Sequence, residues 1–276
     1  MLMEIIMIHS ISIENLKRIT PSIFTTEGAA GTSDKYKHIS TIEVVNGLIA
    51  EGFMPVKAMQ SRTRIANKAP FTKHMLRFRH VSSVPTVGGL FPELVLVNSH
   101  DGLSSYRLMA GLYRLVCSNG LVAGDTFKEV RVRHQGDVIG NVIEGTYEVM
   151  KEANTLLTHA DYMSGVMLSQ PEKEIFADAV HQLRFDGDET LTKEAIKPEQ
   201  FLRPRRYQEK GKDDLFTVFN VVQENVIKGG LRGWARDDKG RVKRASTREI
   251  KSIDQNNALN RALWTLAEKM MQLKGT

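Results

Sequence analysis

The chain has 276 residues, of which 41% are hydrophobic and 25% charged, and a formal net charge of +6. These proportions fit a folded protein with a substantial core and exclude a disordered tail, a fibrous repeat and a membrane-embedded bundle. The single cysteine, Cys117, excludes an internal disulfide, and no Cys/His set has zinc spacing, so the fold is expected to form in a reducing, cytoplasmic setting without staples, metal or cofactor.

The N-terminal "MLMEIIMIHSI" is apolar, but Glu4 stands where a signal peptide needs cations and the stretch is too short to span a bilayer. It reads as a strand or packed arm, and no membrane role is expected. "HISTIEVVNGLIAEG" places Glu43 three residues after Ser40, then apolar residues at helical spacing, then Gly52, which predicts a helix opened by a capping box. "FTKHMLRFRHV" alternates: His74, Leu76, Phe78 and His80 form one packing face, while Lys73, Met75, Arg77 and Arg79 form a basic one. "FMPVKAMQSRTR" is its expected hairpin partner across the "IANKAP" loop. Strands over residues 93–98, 104–109 and 126–134 extend a mainly antiparallel sheet, and "DVIGNVIEGTYEVMKEANTLLTHADYM" predicts one long helix. "PEKEIFADAVHQLRF", "DDLFTVFNVVQENVIKGG" and "NNALNRALWTLAEKMMQLKG" predict three more helices, with Asp213 or Asp214 capping the second and Gly229 stopping it. Between the last two, "LRGWARDDKGRVKRASTREI" reads as a basic hairpin or mobile loop. The fold class is therefore α+β: a mainly antiparallel sheet with a basic hairpin, a long packing helix and a C-terminal helical part. The division is an α+β core domain over residues 1–168 and a mainly helical part over 169–276, packed separately or as one domain with the core.

Charge is unevenly placed. Residues 52–92 contain no acid, yet hold Lys57, Arg62, Arg64, Lys68, Lys73, Arg77 and Arg79. "RPRR" (Arg203 to Arg206) follows, and residues 231–251 hold eight Lys/Arg against three Asp/Glu. One such block is equally well a solvated face; two on one chain favour a polyanion, since Lys and Arg bind phosphate without needing sequence and release condensed counterions. The residues expected to contact nucleic acid are Arg62, Arg64, Lys73, Arg77, Arg79, Arg131, Arg133, Arg232, Trp234, Arg236, Arg241, Lys243 and Arg244. Trp234 is placed to stack on a base, whereas Trp264, at helical spacing with Leu259, Leu263 and Leu266, belongs to the core.

"NSHDGLSSY" (Asn98 to Tyr106) gathers polar groups behind the apolar run "LVLV". As a turn it needs no function: Asn98 and Asp101 satisfy local backbone groups and Gly102 supplies the left-handed residue. As a site, it offers His100 and Asp101 to an acid–base pocket completed by Asn119, His134 and Asp137 from other segments. Asp137 also reads as a helix cap, and Cys117 as a small apolar side chain. No nucleophile elbow, zinc motif or phosphate loop is present, and no metal set is expected.

The segments "TPSIF", "FTKHMLRFR", "NSHDGLSSY", "GLYRLVCSNGLVAG", "RHQGDVIGNVIEGTYEV", "QENVIKGGL" and "LNRALW" closely resemble the YfjQ/YafZ/YubP family of phage- and plasmid-like proteins, built on a domain of unknown function. The resemblance runs along almost the whole chain and departs in its first ten or so residues and around residues 152–194. It implies a protein of prophages or conjugative plasmids, with no settled activity. Its recurring polar residues, here Asn98, His100, Asp101, Ser104, Ser105, Asn119, His134 and Asp137, have suggested an enzyme.

Two functions compete on this reading. One is a single-stranded DNA binding or annealing protein of a mobile element, with a β-β-β-α core like that of phage recombination proteins and a basic groove along one strand. The other is an enzyme, a nuclease or hydrolase acting in counter-defence, with its pocket around His100 and Asp101. A homo-oligomer and a host- or element-encoded protein partner are left open.

Overall fold

The computed structural model describes residues 10–32, 38–84, 90–114, 120–122, 129–133, 137–187 and 190–275. The expectations for the first nine residues, Cys117, Asn119 and His134 lie outside the described residues. The chain falls into two compact units, Met1–Leu157 and Thr158–Thr276.

The first unit opens with helix α1 (Ile13–Ile19), whose Ser12 hydroxyl accepts the Asn15 amide, and a 3-10 turn, Pro21–Phe24. Helix α2 (Thr41–Ala50) precedes strands β1 (Phe53–Gln60), β2 (His74–His80), β3 (Leu90–Asn98) and β4 (Tyr106–Arg114). These four form an antiparallel meander, and two short strands share the outer side of β4. β5 (Gly120–Val122) pairs with Gly111–Tyr113, and β6 (Val130–Val132) pairs with Tyr106–Leu108. Helix α3 (Val138–Gly165) follows, and the division between the units falls within it.

One face of the sheet is the expected apolar layer. Leu76, Phe78, Leu94, Leu96 and Leu108 are fully buried, as are Val44, Val45 and Leu48 of α2 and Val142 of α3. Each such side chain contributes about 2 kcal/mol by leaving water. Gly145 lets α3 lie close to this layer: a Cβ there would sit 3.0 Å from Leu108 and 2.8 Å from Val130.

Two local expectations are corrected. Ser40 builds no capping box; its hydroxyl donates 3.1 Å to the Ile23 carbonyl, tying the helix start to the 3-10 turn instead. Nor does β2 present a basic outer face, because Arg77 and Arg79 are both buried. Glu93 on β3 binds them together: Arg77 Nε lies 2.8 Å from its Oε2 and Arg79 Nη2 2.5 Å from its Oε1. The guanidiniums also lie over aromatic rings, Arg77 3.2 Å from the Tyr113 centroid and Arg79 3.8 Å from that of Phe91. Burial pushes the Tyr113 phenol far above its ordinary value, with Arg77 opposing and Glu93 reinforcing the shift.

The second unit is helical around a small sheet. Helix α4 (Gln170–Arg184) begins with a true capping box, in which Glu172 accepts both the Ser169 amide and hydroxyl. A short helix, α5 (Leu191–Ala195), leads through 3-10 turns to α6 (Leu215–Lys228), then strands β7 (Arg232–Arg236) and β8 (Val242–Ser246) and helix α7 (Ile253–Leu273). Asp214 caps α6 through the Thr217 amide at 2.8 Å, and Gly229 ends it at φ 62°. The core joins Phe176, Val180, Phe201, Phe219, Val222, Leu263 and Trp264; the Trp264 ring meets Phe219 edge-on at 5.8 Å.

The polar "QEN" of α6 is buried, and each member is bonded. Gln223 donates to Asn260 at 2.7 Å, Glu224 accepts from Arg206 and Lys228, and Asn225 donates to the carbonyls of Phe201 and Arg203. Burial pushes the Glu224 carboxyl up, but the hydrogen bonds from Arg206 and Lys228 outweigh it and hold it below its ordinary value. Among the described residues, no helix is long and apolar enough to cross a membrane.

Candidate functional site

The β7–β8 hairpin is a two-sided ribbon. Its register pairs Arg232 with Ser246, Trp234 with Arg244 and Arg236 with Val242, and these six share one face because alternate residues point the same way. The opposite face holds Gly233, Ala235, Lys243 and Ala245. There Gly233 approaches the end of α5 so closely that a Cβ would lie 1.7 Å from the Ala195 carbonyl oxygen, so only glycine fits. The ribbon is tied at its base: Leu231 and Thr247 exchange backbone and hydroxyl bonds at 2.9 and 3.0 Å, and the Gly230 amide donates to Thr247 O at 2.8 Å.

The outer face is open. Trp234 is 65% exposed, Val242 56%, and Arg232, Arg236 and Arg244 are exposed around them. At the tip, Asp237 accepts the amides of Lys239 and Arg241, and its carboxylate pairs with Lys243 at 2.9 Å and Arg241 at 3.1 Å. The Lys243 bond first, then the backbone amide of Arg241, hold its pKa down at about 2. Arg241 and Lys243 are thus partly neutralised within the turn, while Arg232 and Arg244 form no ion pair among the described residues.

The other expected cations divide. Arg62, Arg64 and Arg133 are exposed, and Lys73 is half-buried. Arg131 is exposed and bonds Glu129 at 2.5 Å. Arg77 and Arg79 face inward on Glu93, as described above, and do not line a surface. Of "RPRR", Arg203 and Arg205 are exposed and Arg206 is half-buried; Arg205 donates to Asn225 at 2.7 Å and to the Gly229 carbonyl, and Arg206 grips Glu224 and Glu209.

The first unit contains a buried polar hub that the sequence only half disclosed. Register sets Gln60, His74 and Asn98 side by side on β1, β2 and β3, and Tyr106 follows in the same row on β4. Over this row sits Thr41, the first residue of α2. Its hydroxyl lies 2.9 Å from His74 Nε2, 3.1 Å from His100 Nε2 and 3.2 Å from Asn98 Nδ2. Proton roles follow from the partners. His74 Nδ1 is 3.2 Å from the Thr72 carbonyl, which only accepts, and 3.0 Å from Ser22 Oγ, so Nδ1 carries the hydrogen. Asn98 Nδ2 donates to the Thr41 hydroxyl, which also lies 3.4 Å from the Tyr106 hydroxyl, so one oxygen joins His74, His100, Asn98 and Tyr106. The Tyr106 hydroxyl donates to Ile39 O at 3.1 Å. Thr41, His74, Asn98, His100 and Tyr106 are all 0% exposed.

His100 therefore belongs to a core network with Thr41 and His74, neither of which the sequence reading offered as a site residue. The available signal was His74 itself, a polar residue on the apolar side of the β2 alternation. Asn98 also does more than serve its own turn, since its amide reaches Thr41. Asp101 behaves as a turn residue: Oδ1 accepts the Leu103 amide at 3.0 Å and the Ser99 hydroxyl at 2.5 Å, and Gly102 has φ 76°. Asp137 is exposed at the start of α3 and accepts the Gly140 amide at 3.0 Å, which makes it a helix cap. Among the described residues, no group of three or more His, Cys, Asp or Glu could hold a metal ion.

Comparison with known proteins adds a family but no activity. The model for a domain of unknown function, DUF932, matches residues 30–264. The UPF0380 proteins YafZ and YfjQ of Escherichia coli are each 42% identical to this chain over 258 residues, covering 94% of it and 90% of the relative. No solved structure matches.

Proposed function

Because the chain belongs to the DUF932 family, whose description assigns no activity, we propose its function from its own surface: it binds single-stranded nucleic acid through the β7–β8 hairpin. The observation that carries this reading is Trp234, 65% exposed between Arg232 and Arg236 and opposite Arg244. A tryptophan left in water forgoes most of the stabilisation that Trp264 gains in the core, and a base stacked on the open ring restores about 1–3 kcal/mol. The three arginines add phosphate contacts without reading sequence. Annealing within a mobile element is the finer use we propose, on the analogy between the antiparallel sheet followed by α3 and the β-β-β-α core of recombination proteins.

The test is fluorescence anisotropy of a labelled mixed-sequence single strand across a salt series. Three arginine–phosphate contacts give an expected slope of about −2 for log K against log salt, at about 0.7 per contact. Replacing Arg232 and Arg244 together by Gln removes roughly two-thirds of that slope. An absence of binding at the lowest salt refutes the proposal. A pocket around His100 and Asp101 draws less support, because His100 is enclosed in the core and the Asp101 carboxylate is engaged in its own turn.

A further inference from the structure

We infer that the bound strand does not end at the hairpin: it runs off the base of β7 onto residues 203–212, where Tyr207 offers a second ring for a base and Arg203 and Lys210 take phosphates. The inference rests on the single-strand reading above and extends its footprint to a second stacking platform.

The surface of this segment carries charge of one sign. Residues 203–212 hold five cations against one acid, and that acid, Glu209, is buried and bonded to Arg206 at 3.2 Å. Arg203, Lys210 and Lys212 are exposed and form no ion pair among the described residues. Between them Tyr207 is 85% exposed, more open than Trp234. Lys210 stands over one face of its ring, 5.5 Å from the centroid, which leaves the other face to a base.

Hydrogen bonds place the segment beside the hairpin. The Leu231 carbonyl accepts the Thr247 amide at 2.9 Å and so faces β8; the Arg232 carbonyl, next in the strand, points to the edge away from β8, where Gln200 donates to it at 3.0 Å. Arg205 then donates through Nη2 to the Gly229 carbonyl and through Nε to Asn225 at 2.7 Å, which ties the segment to the residue from which the hairpin springs. A strand leaving Trp234 past Arg232 meets this segment next. Apart from the Arg205 side chain itself, the rings are joined by the two residues from Tyr207 to Arg205 and the five from Gly229 to Trp234, at most about 25 Å of backbone. A strand of about 16 nucleotides extends about 54 Å even when fully stacked, so it reaches both. Once one ring is occupied, the second stack forms within the same complex and pays no second cost of association.

The experiment titrates labelled oligo(dT) of about 16 nucleotides by anisotropy against wild type, Tyr207→Ala, Tyr207→Phe and Arg203→Gln. Tyr207 and Arg203 are exposed, so the variants are expected to fold, and circular dichroism checks that they do. Tyr207→Ala should weaken binding about tenfold, and Tyr207→Phe, which keeps the ring, should stay within about twofold of wild type. Arg203→Gln should make the salt slope shallower by about 0.7, a share separate from that of the hairpin arginines. Tryptophan fluorescence should still change at saturation in Tyr207→Ala, because Trp234 remains engaged and Trp264 is enclosed. Unchanged affinity in Tyr207→Ala, an equal loss in Tyr207→Phe, or more than one strand bound per chain overturns the inference and leaves binding at the hairpin standing. No binding by wild type at the lowest salt overturns the two together.

Discussion

Replacing Thr41 by valine keeps the β-branched shape and removes only the hydroxyl, so no cavity opens and the effect isolates the polar hub. Three hydrogen bonds are lost at once, those joining Thr41 Oγ1 to Asn98 Nδ2, His100 Nε2 and His74 Nε2. All lie in fully buried residues, and each lost hydrogen bond costs about 0.5–1.5 kcal/mol. The three share one oxygen, so the expected loss is about 2–4 kcal/mol, a substantial part of the ~5–15 kcal/mol that holds a domain folded. Thr41→Ser is the control, since it keeps the hydroxyl and gives up one methyl, worth about 1 kcal/mol. Urea unfolding followed by far-ultraviolet circular dichroism measures both. If Thr41→Val costs no more than Thr41→Ser, the hydroxyl does not hold the hub together.

Arg79→Met should lower stability by about 3–5 kcal/mol by leaving Glu93 half-compensated in the core, while single-strand affinity per folded molecule stays unchanged; a selective loss of affinity would return Arg79 to the binding surface. Asp237→Asn releases Arg241 and Lys243 from the tip carboxylate and should strengthen binding several-fold with a steeper salt slope, read by the same anisotropy titration. Gly233→Val cannot be accommodated beside the Ala195 carbonyl, so it should displace the hairpin and expose its base to proteolysis; an unaltered digestion pattern would show that the close approach is not needed. Glu224 is held below its ordinary 4.5 in the folded state, so its ion pairs stabilise the fold above that pH and the benefit is lost as pH falls through the lowered value. Glu224→Gln should therefore flatten the acid limb of a stability–pH profile, and an unchanged limb would contradict the assignment.

The elements were largely legible because hydrophobic period and end signals agreed: the β1–β2 hairpin, the long helix α3, α6 between Asp214 and Gly229, and the basic hairpin all stand where the pattern put them. Charge was less legible, and β2 shows why. The acid-free run ends at Pro92, and the carboxylate that neutralises Arg77 and Arg79 is the very next residue, Glu93, brought beside them by strand pairing. A window of sequence sees a basic stretch; a sheet sees a compensated cluster. The hub failed for a related reason. Thr41, His74 and His100 are 33 and 26 residues apart and come together only through register and the start of α2. Ser40 drew attention as a cap because local spacing is what a sequence displays, whereas its hydroxyl and that of Thr41 both serve partners far along the chain.

The fate of the cations decides where binding can occur. Arg77 and Arg79 are consumed by Glu93, Arg205 and Arg206 by the α6 network, and Arg241 and Lys243 in part by Asp237. A net charge of +6 therefore overstates the positive surface in some places and understates its concentration in others. The buried Arg77 and Arg79 are matched to a carboxylate and to aromatic rings because an uncompensated charge in the core costs several kcal/mol. On the outer face of the β7–β8 ribbon Arg232 and Arg244 meet no carboxylate among the described residues, and the aromatic residue beside them is left in water instead of packed. Stability gains nothing from that arrangement. A partner that brings phosphates and an open base supplies both missing contacts in one step, which is why the hairpin, and not the more basic-looking β2, is where strand binding should be sought first.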